Sequence, residues 1–260
     1  MKSGNEELKE GDYVWGITGW EDYSWNFDPH KLLTKIHITD DVPLSYYAGI
    51  LGMPGLTAYV GWTEMGWAKQ GEFVYVSSAA GGVGHLVGQF AKMLGCYVVG
   101  SASTNEKVHL LKTKLGFDDA FNYKEGDLRS NLNKYFPRGI DIYFDNVGGE
   151  MLDEVLKQMN INGRIVVCGM ISQYNLSEPK GIQNLFSVIT KRLSLRGFSE
   201  ADYRNMYPEY AEWVVKKMHE NKLVYVEEVI PGLENGASAF VGMFHGHNIG
   251  KRVVAVAKES

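Results

Sequence analysis

From Phe73 onward the chain alternates short apolar runs with helix-length amphipathic stretches, and this rhythm limits the folds open to it. "FVYVSS" reads as a strand and "VGHLVGQFAKMLG" as a helix closed by Gly95. "CYVVGSA" and "NEKVHLLKTKLG" repeat the unit, followed by the short strand "DAFNY" and the helix "DLRSNLNKYFP". "IDIYFDNVGG", "EMLDEVLKQMN", "GRIVVCGM", "IQNLFSVITKR" and "LSLRGFS" complete the series, giving six strands with helices between them. Continuous apolar runs separated by helices demand a parallel sheet covered on both faces. Six such strands point to an α/β, doubly wound, Rossmann-type sheet.

The flanks differ in texture. Up to about Ile38, Gly, Trp and β-like runs such as "GDYVWGIT" and "LLTKIHI" predict strands and turns. "PLSYYAGILGMPGLTAYVGWTEM" is more helical, with Gly52, Pro54 and Gly55 expected to interrupt it. After the six strands come an amphipathic helix, "YPEYAEWVVKKMHENK", and a tail expected to hold short strands, the last being "KRVVAVAKE". The likeness of the two ends suggests a second, discontinuous domain built from both.

Composition removes several function classes. A net charge of −5 disfavours a nucleic-acid surface, which needs concentrated Lys and Arg. No uncharged apolar stretch reaches membrane-spanning length. The polar start "MKSGNEELKEGDYVWG" lacks a signal-peptide core, so a cytoplasmic setting is expected and the sequon at Asn175 would go unused. Cys96 and Cys168 are the only cysteines, and both read as buried free thiols. Two cysteines cannot build a four-cysteine zinc site, and no His/Cys cluster has catalytic-zinc spacing; His245 and His247 read as loop residues.

Gly81, Gly84 and Gly88 follow the first strand of the series and open its helix. Glycines there let the backbone turn tightly and approach a pyrophosphate, while the helix start offers unpaired N–H groups. An NAD-preferring loop places Asp or Glu at the tip of the second strand to bind the ribose 2′-hydroxyl. This chain has "VVGSASTNEK" there, small and hydroxylated residues followed by Lys107, with Glu106 in the helix's first turn. The missing acid favours NADPH. None of the fifteen tyrosines is followed by Lys four positions on, which removes the short-chain reductase pairing. A zinc-free reductase remains.

"KEGDYVWGITGWEDYS", "VPLSYYAGILGMPGLTAYVG", "AAGGVGHLVGQFAK", "EKVHLLKTKLGFDDAFNYKE", "GIDIYFDNVGG", "VCGMISQYN" and "MFHGHNIGKRVV" together resemble the zinc-independent medium-chain reductases. More narrowly, they resemble the plant NADPH-dependent alkenal double-bond reductases, including pulegone reductase-like enzymes. The resemblance runs from Ser3 to the C-terminus. It implies reduction of the carbon–carbon double bond of α,β-unsaturated aldehydes and ketones, and it makes a homodimer an expectation. It also implies three segments: 1–44 as part of a GroES-like catalytic domain, 45–221 as the NADP-binding domain, and 222–260 as a return to the catalytic domain.

The resemblance assigns roles by position. Ser78, Ala79, Ala80, Gly81, Gly82, Val83 and Gly84 would hold the pyrophosphate. Lys107 and Tyr123 would contact the 2′-phosphate, and Asn146, Cys168 (through its backbone) and Asn248 would line the cofactor. Phe198, Ser199 and Glu200 would lie at the nicotinamide carboxamide, and Tyr174 beside nicotinamide and substrate. Chemistry supports Tyr174 separately. Hydride arrival at the β-carbon creates an enolate whose oxygen needs a donor, and a phenol beyond the fifth strand stands where ligands bind in this fold. It could donate there, relay a proton to the α-carbon, or only pack against the cofactor.

Three positions depart from the family pattern. Ser103 stands for the usual glycine and could bond or crowd the phosphate. Gly82 replaces alanine, an expected harmless change. His85 replaces glutamine and could add charge beside the pyrophosphate at low pH. Family chains also carry a segment ahead of the position matching Lys2, containing a D-P-Y-M-R motif. Without it the expected catalytic domain is incomplete, with open strand edges and a pocket lacking a wall. A cofactor-binding remnant without turnover and a quinone reductase are therefore the two other readings.

Overall fold

The computed structural model describes residues 3–36 and 42–256. Within the runs read as strands, residues 37–38 and 257–259 lie outside the described residues. Near the start, β1 (Tyr13–Gly16) pairs antiparallel with β2 (Leu33–Ile36), Tyr13 opposite Ile36, with the single turn α1 (Pro29–Leu32) just before β2. A 3-10 stretch, Leu44–Ala48, leads to α2 (Met53–Val60), which widens into a π-helical turn, Gly61–Gly66. The expected interruption falls at residues 49–52, and Pro54 and Gly55 belong to the helix start that follows it. Pro54 sits in the first turn, where a missing N–H costs nothing. Gly55 has no side chain to block the carbonyl of Ile50 or the hydroxyl of Tyr210.

The predicted parallel sheet is present. Strands β3 (Phe73–Val76), β4 (Tyr97–Ala102), β5 (Asp119–Asn122), β6 (Ile140–Asp145), β7 (Met159–Val167) and β8 (Ser194–Gly197) form it. All pairings are parallel, in the order β5-β4-β3-β6-β7-β8. Between them run α3 (Gly84–Leu94), α4 (Asn105–Thr113), α5 (Leu128–Tyr135), α6 (Gly149–Gln158) and α7 (Phe186–Lys191). Local chemistry sets their ends: Gly95 takes a left-handed φ of 87° after α3, the Thr104 side chain caps α4, and Asp127 caps α5. The helix expected over 182–192 shrinks to the six residues of α7.

Strand periodicity sends alternate side chains to opposite faces, so each face builds its own core. Val74, Val76, Leu86, Val98, Leu111 and Phe144 pack with Ile50, Leu56 and Tyr210 on one side. On the other, Tyr75 stacks between Phe121 and Tyr143, at centroid separations of 5.9 and 5.0 Å, above Leu132, Leu152 and Ile165.

After the sheet comes α8 (Tyr207–His219), then β9 (Glu227–Pro231), α9 (Gly236–Phe244) and β10 (Lys251–Ala255). The tail expected to hold only short strands therefore contains a helix. The pairing explains it: β9 and β10 run parallel, and parallel neighbours need a crossover, which α9 supplies. Trp20 packs edge-on against Phe240 of α9, bringing the two ends of the chain together.

Candidate functional site

The chain enters the sheet at β3, works outward to β5, and returns to place β6 on the other side of β3. Connections leaving β3 and β6 therefore part in opposite directions, opening a crevice at their carboxyl ends. Hydrogen bonds stitch this point together. Ser77 Oγ accepts from Asn146 N–H (3.0 Å) and lies 3.0 Å from the Tyr143 hydroxyl oxygen, and Asn146 Nδ2 donates to the Ser77 carbonyl (2.8 Å). Asp145, fully buried, accepts at Oδ1 from Tyr143 and from Val147 and Gly148 N–H, fixing the turn after β6. Burial nonetheless holds its carboxyl above the ordinary carboxylate range, these bonds opposing the rise.

The loop from Ser78 to Gly84 lies directly above β3. Ser78 adopts φ 49°, and its carbonyl accepts from Gly81 N–H (3.0 Å). A Cβ on Gly84 would come within 2.5 Å of that carbonyl, so only glycine permits the turn. Ala79 and Ala80 are buried under the loop, and Ala79 N–H donates to the Ser101 carbonyl (2.9 Å). The N–H groups of Val83 and Gly84 find no acceptor among the described residues. They open α3, where the helix dipole adds positive potential. This cradle fits a dinucleotide pyrophosphate.

The tip of β4 carries no carboxylate. Lys107 is nearly buried, its Nζ donating to the Gly246 carbonyl (2.7 Å) and to Ser103 Oγ (3.1 Å), while Ser103 Oγ donates to the same carbonyl (3.3 Å). Ser103 thus neither projects freely toward a phosphate nor leaves a gap; it holds Lys107. Burial, then Lys124 and Arg252, lower the Lys107 pKa, and its two hydrogen bonds leave one of three donors for a phosphate. Tyr123 is partly exposed beyond β5, its phenol pushed up by burial.

Cys168 follows β7. Its N–H and that of Gly169 both donate to the Asp145 carbonyl (2.9 and 3.0 Å), leaving only its carbonyl for a ligand. Burial and the Asp145 carboxylate push the thiol up to about 12, so it stays protonated. Both cysteines are free; Cys96 is buried and Cys168 half-buried. Tyr174 is 61% exposed, and its phenol oxygen accepts from Met170 N–H (3.0 Å), leaving the hydroxyl proton to donate. Its turn is tied to the turn after β6 by Ile171 N–H to Asn146 O (3.3 Å) and Ser172 Oγ to Val147 O (2.6 Å).

Phe198 packs with Phe144 over Gly61, where any side chain would collide with both rings. Ser199 and Glu200 border a cavity of about 990 Å3 shared with Trp15, Tyr47, Arg204 and Lys251. Asn248 lies in the turn before β10, its Nδ2 donating to the Gly250 carbonyl (2.9 Å). Gly250 N–H donates to the Ala80 carbonyl (2.9 Å) in a bridge that lays this turn against Gly81. His245 and His247 occupy the same turn, rings 5.8 Å apart.

His85 corrects an expectation. It is fully buried, with Nδ1 2.6 Å from the Gly81 carbonyl and Nε2 accepting weakly from Val226 N–H (3.5 Å). Burial lowers its pKa to about 4, so it is a neutral tether and adds no charge to a pyrophosphate. One helical turn on, Gln89 extends the tether: its amide accepts from Val224 N–H (2.7 Å) and donates to Val224 O (2.9 Å). Sequence reasoning passed over Gln89. The available signal was a polar residue spaced i, i+4 from another on the apolar face of α3.

With this geometry in view, the comparisons with known proteins are informative. A profile of the zinc-binding dehydrogenase family matches residues 82–216. The NADP(+)-dependent 2-alkenal reductase of Nicotiana tabacum is 59% identical over all of this chain and 75% of its own length. The (+)-pulegone reductase of Mentha piperita is 52% identical over all of this chain and 76% of its own. The chain belongs to the medium-chain reductase family. Among solved structures, CurA of Vibrio vulnificus in complex with NADPH superposes on this reductase with a TM-score of 0.88 and 37% identity, covering 98% of this chain and 76% of CurA. The family's description mentions zinc, yet among the described residues of this reductase no three His, Cys, Asp or Glu side chains gather to hold a metal. Nor is any described helix long and apolar enough to cross a membrane.

Proposed function

We propose that this reductase uses NADPH to reduce the carbon–carbon double bond of α,β-unsaturated aldehydes and ketones. The observation that carries the reading is convergence at one crevice. Ser77 at the foot of the loop over β3, Asn146 after β6 and the turn after β7 that carries Tyr174 are linked in series by hydrogen bonds, and the adjoining β4 tip offers Lys107 and no acid. Bound NADPH supplies the hydride that reaches the substrate's β-carbon. The chain's part is electrostatic and positional. Val83 and Gly84 N–H groups hold the pyrophosphate, and Lys107 with Tyr123 faces the 2′-phosphate. Ser199 and Glu200 place backbone groups at the cavity wall beside the nicotinamide, with Phe198 packed behind them. Tyr174, fixed by Met170 N–H, donates to the enolate oxygen as charge develops, after which a proton reaches the α-carbon from that phenol or from water.

The relatives from Nicotiana and Mentha, acting by name on 2-alkenals and pulegone, support the substrate class and a plant source. The proposal extends to segments 1–44 and 222–260 as parts of one catalytic domain around 45–221, to a cytoplasmic setting and to a homodimer. The test is NADPH oxidation by the purified chain with and without a 2-alkenal, alongside Tyr174→Phe. Alkenal-dependent oxidation is expected, falling about tenfold or more in kcat for the variant with little change in NADPH affinity. Oxidation indifferent to alkenal refutes the reductase reading, and an unaffected variant reduces Tyr174 to packing.

A further inference from the structure

Lys251 opens β10 and has no part in the roles described so far. Its backbone is fixed on both sides: its N–H donates to the Val226 carbonyl (2.9 Å), and the preceding Gly250 bonds the Ala80 carbonyl (2.9 Å). The side chain then runs between two glycines. A Cβ added to Gly82 would meet Lys251 Cδ at 3.2 Å, and one added to Gly49 would meet Cγ at 3.3 Å. Gly82 stands at the loop position where the family pattern has alanine. It gives the lysine stem room to lie against the pyrophosphate loop. Lys251 is also among the residues that line the 990 Å3 cavity.

That ammonium has no ion pair or hydrogen bond among the described residues. Its neighbour Arg252 is paired with Glu228 (2.7 Å). Its cross-strand partner Glu227 turns Oε1 to the Ser45 hydroxyl (2.6 Å). Burial alone pulls the Lys251 pKa down, with no neighbouring charge to offset it. A half-buried cation without a counter-charge is destabilising unless something brings the negative charge. The same loop presents two unpaired N–H groups, those of Val83 and Gly84, at a helix start.

We propose that Lys251 is a cofactor-binding residue whose ammonium pairs with the dinucleotide pyrophosphate held at the loop. The assignment rests on the NADPH reading and adds to it a contact that makes no distinction between NADPH and NADH, because both carry that pyrophosphate. Lys107, in contrast, faces only the phosphate that NADH lacks.

The experiment is calorimetric titration of the wild-type chain, Lys251→Met and Lys251→Arg with NADPH, NADH and 2′-AMP, which has the 2′-phosphate and no pyrophosphate. Lys251→Met is expected to weaken NADPH and NADH by the same factor, about tenfold or more, and to leave 2′-AMP unchanged. Lys251→Arg keeps most of the affinity. The ligand-free Lys251→Met chain should melt at or above the wild-type temperature, since an uncompensated charge has been removed. A purely structural lysine would lower it. Unchanged dinucleotide affinity, or a loss for 2′-AMP as large as for NADPH, overturns the assignment of Lys251 and leaves the NADPH reading intact. A folded wild-type chain that binds neither dinucleotide overturns both.

Discussion

Lys107 shows how one residue's chemistry is set by its surroundings. Sequence alone leaves it a choice between a solvated helix lysine and a phosphate ligand. The structure buries it, with Ser103 Oγ and the Gly246 carbonyl taking two of its three donors and leaving one. Lys107→Ala should therefore weaken NADPH by about tenfold or more while changing NADH by less than about threefold, measured by fluorescence titration. Equal losses would mean that Lys107 only supports the fold. Ser103, read from sequence as either a bond or a clash, proves to be a bond to the lysine and to the turn that carries Asn248.

At the scale of the element, α3 does two jobs with one amphipathic surface. Its N-terminus forms the cradle, and its inner face must approach the sheet closely. Gly88 allows that approach: a Cβ there would run into the Phe117 ring. Gly88→Ala should lower stability by about 1–3 kcal/mol through overpacking. Thermal or urea unfolding without ligand would measure it, and a melting temperature unchanged from wild type would contradict the close packing. The polar residues on the same face, His85 and Gln89, are what the period-3.6 pattern misreads. They satisfy the backbone of the segment before β9, which has no strand partner of its own at Val224.

For the whole molecule, that tether joins the cofactor loop to the C-terminal strands and makes their association pH-dependent. His85 binds its proton with a pKa near the ordinary 6.5 when unfolded and about 4 when folded. Between those values the unfolded chain holds more protons than the folded one, so stability falls as pH drops from 6.5 toward 4. At about 1.4 kcal/mol for each pH unit, the His85 contribution is roughly 3 kcal/mol. Melting temperatures across this window should fall more steeply for wild type than for His85→Gln. Parallel curves would show that His85 does not stay neutral in the folded state.

The six-strand series, the glycine loop and the absent acid at the β4 tip were legible because each is a local matter. A strand buried on both faces needs a continuous apolar run, a tight turn needs glycine, and a 2′-hydroxyl needs a carboxylate within one turn of chain. The helix α9 was not legible, because its need arises from the parallel pairing of β9 with β10, a relation between segments. His85 and Lys251 likewise carry no local mark of their roles. One is neutral because distant chain buries it, and the other is aimed at the loop by the Gly250 bridge and by the space left at Gly49 and Gly82. Sequence by itself determined the sheet and the cradle, where side-chain pattern and backbone freedom act over a few residues. Only the tertiary structure decided which charges are buried, paired or left for a ligand, because burial and electrostatics depend on what is brought near from elsewhere in the chain.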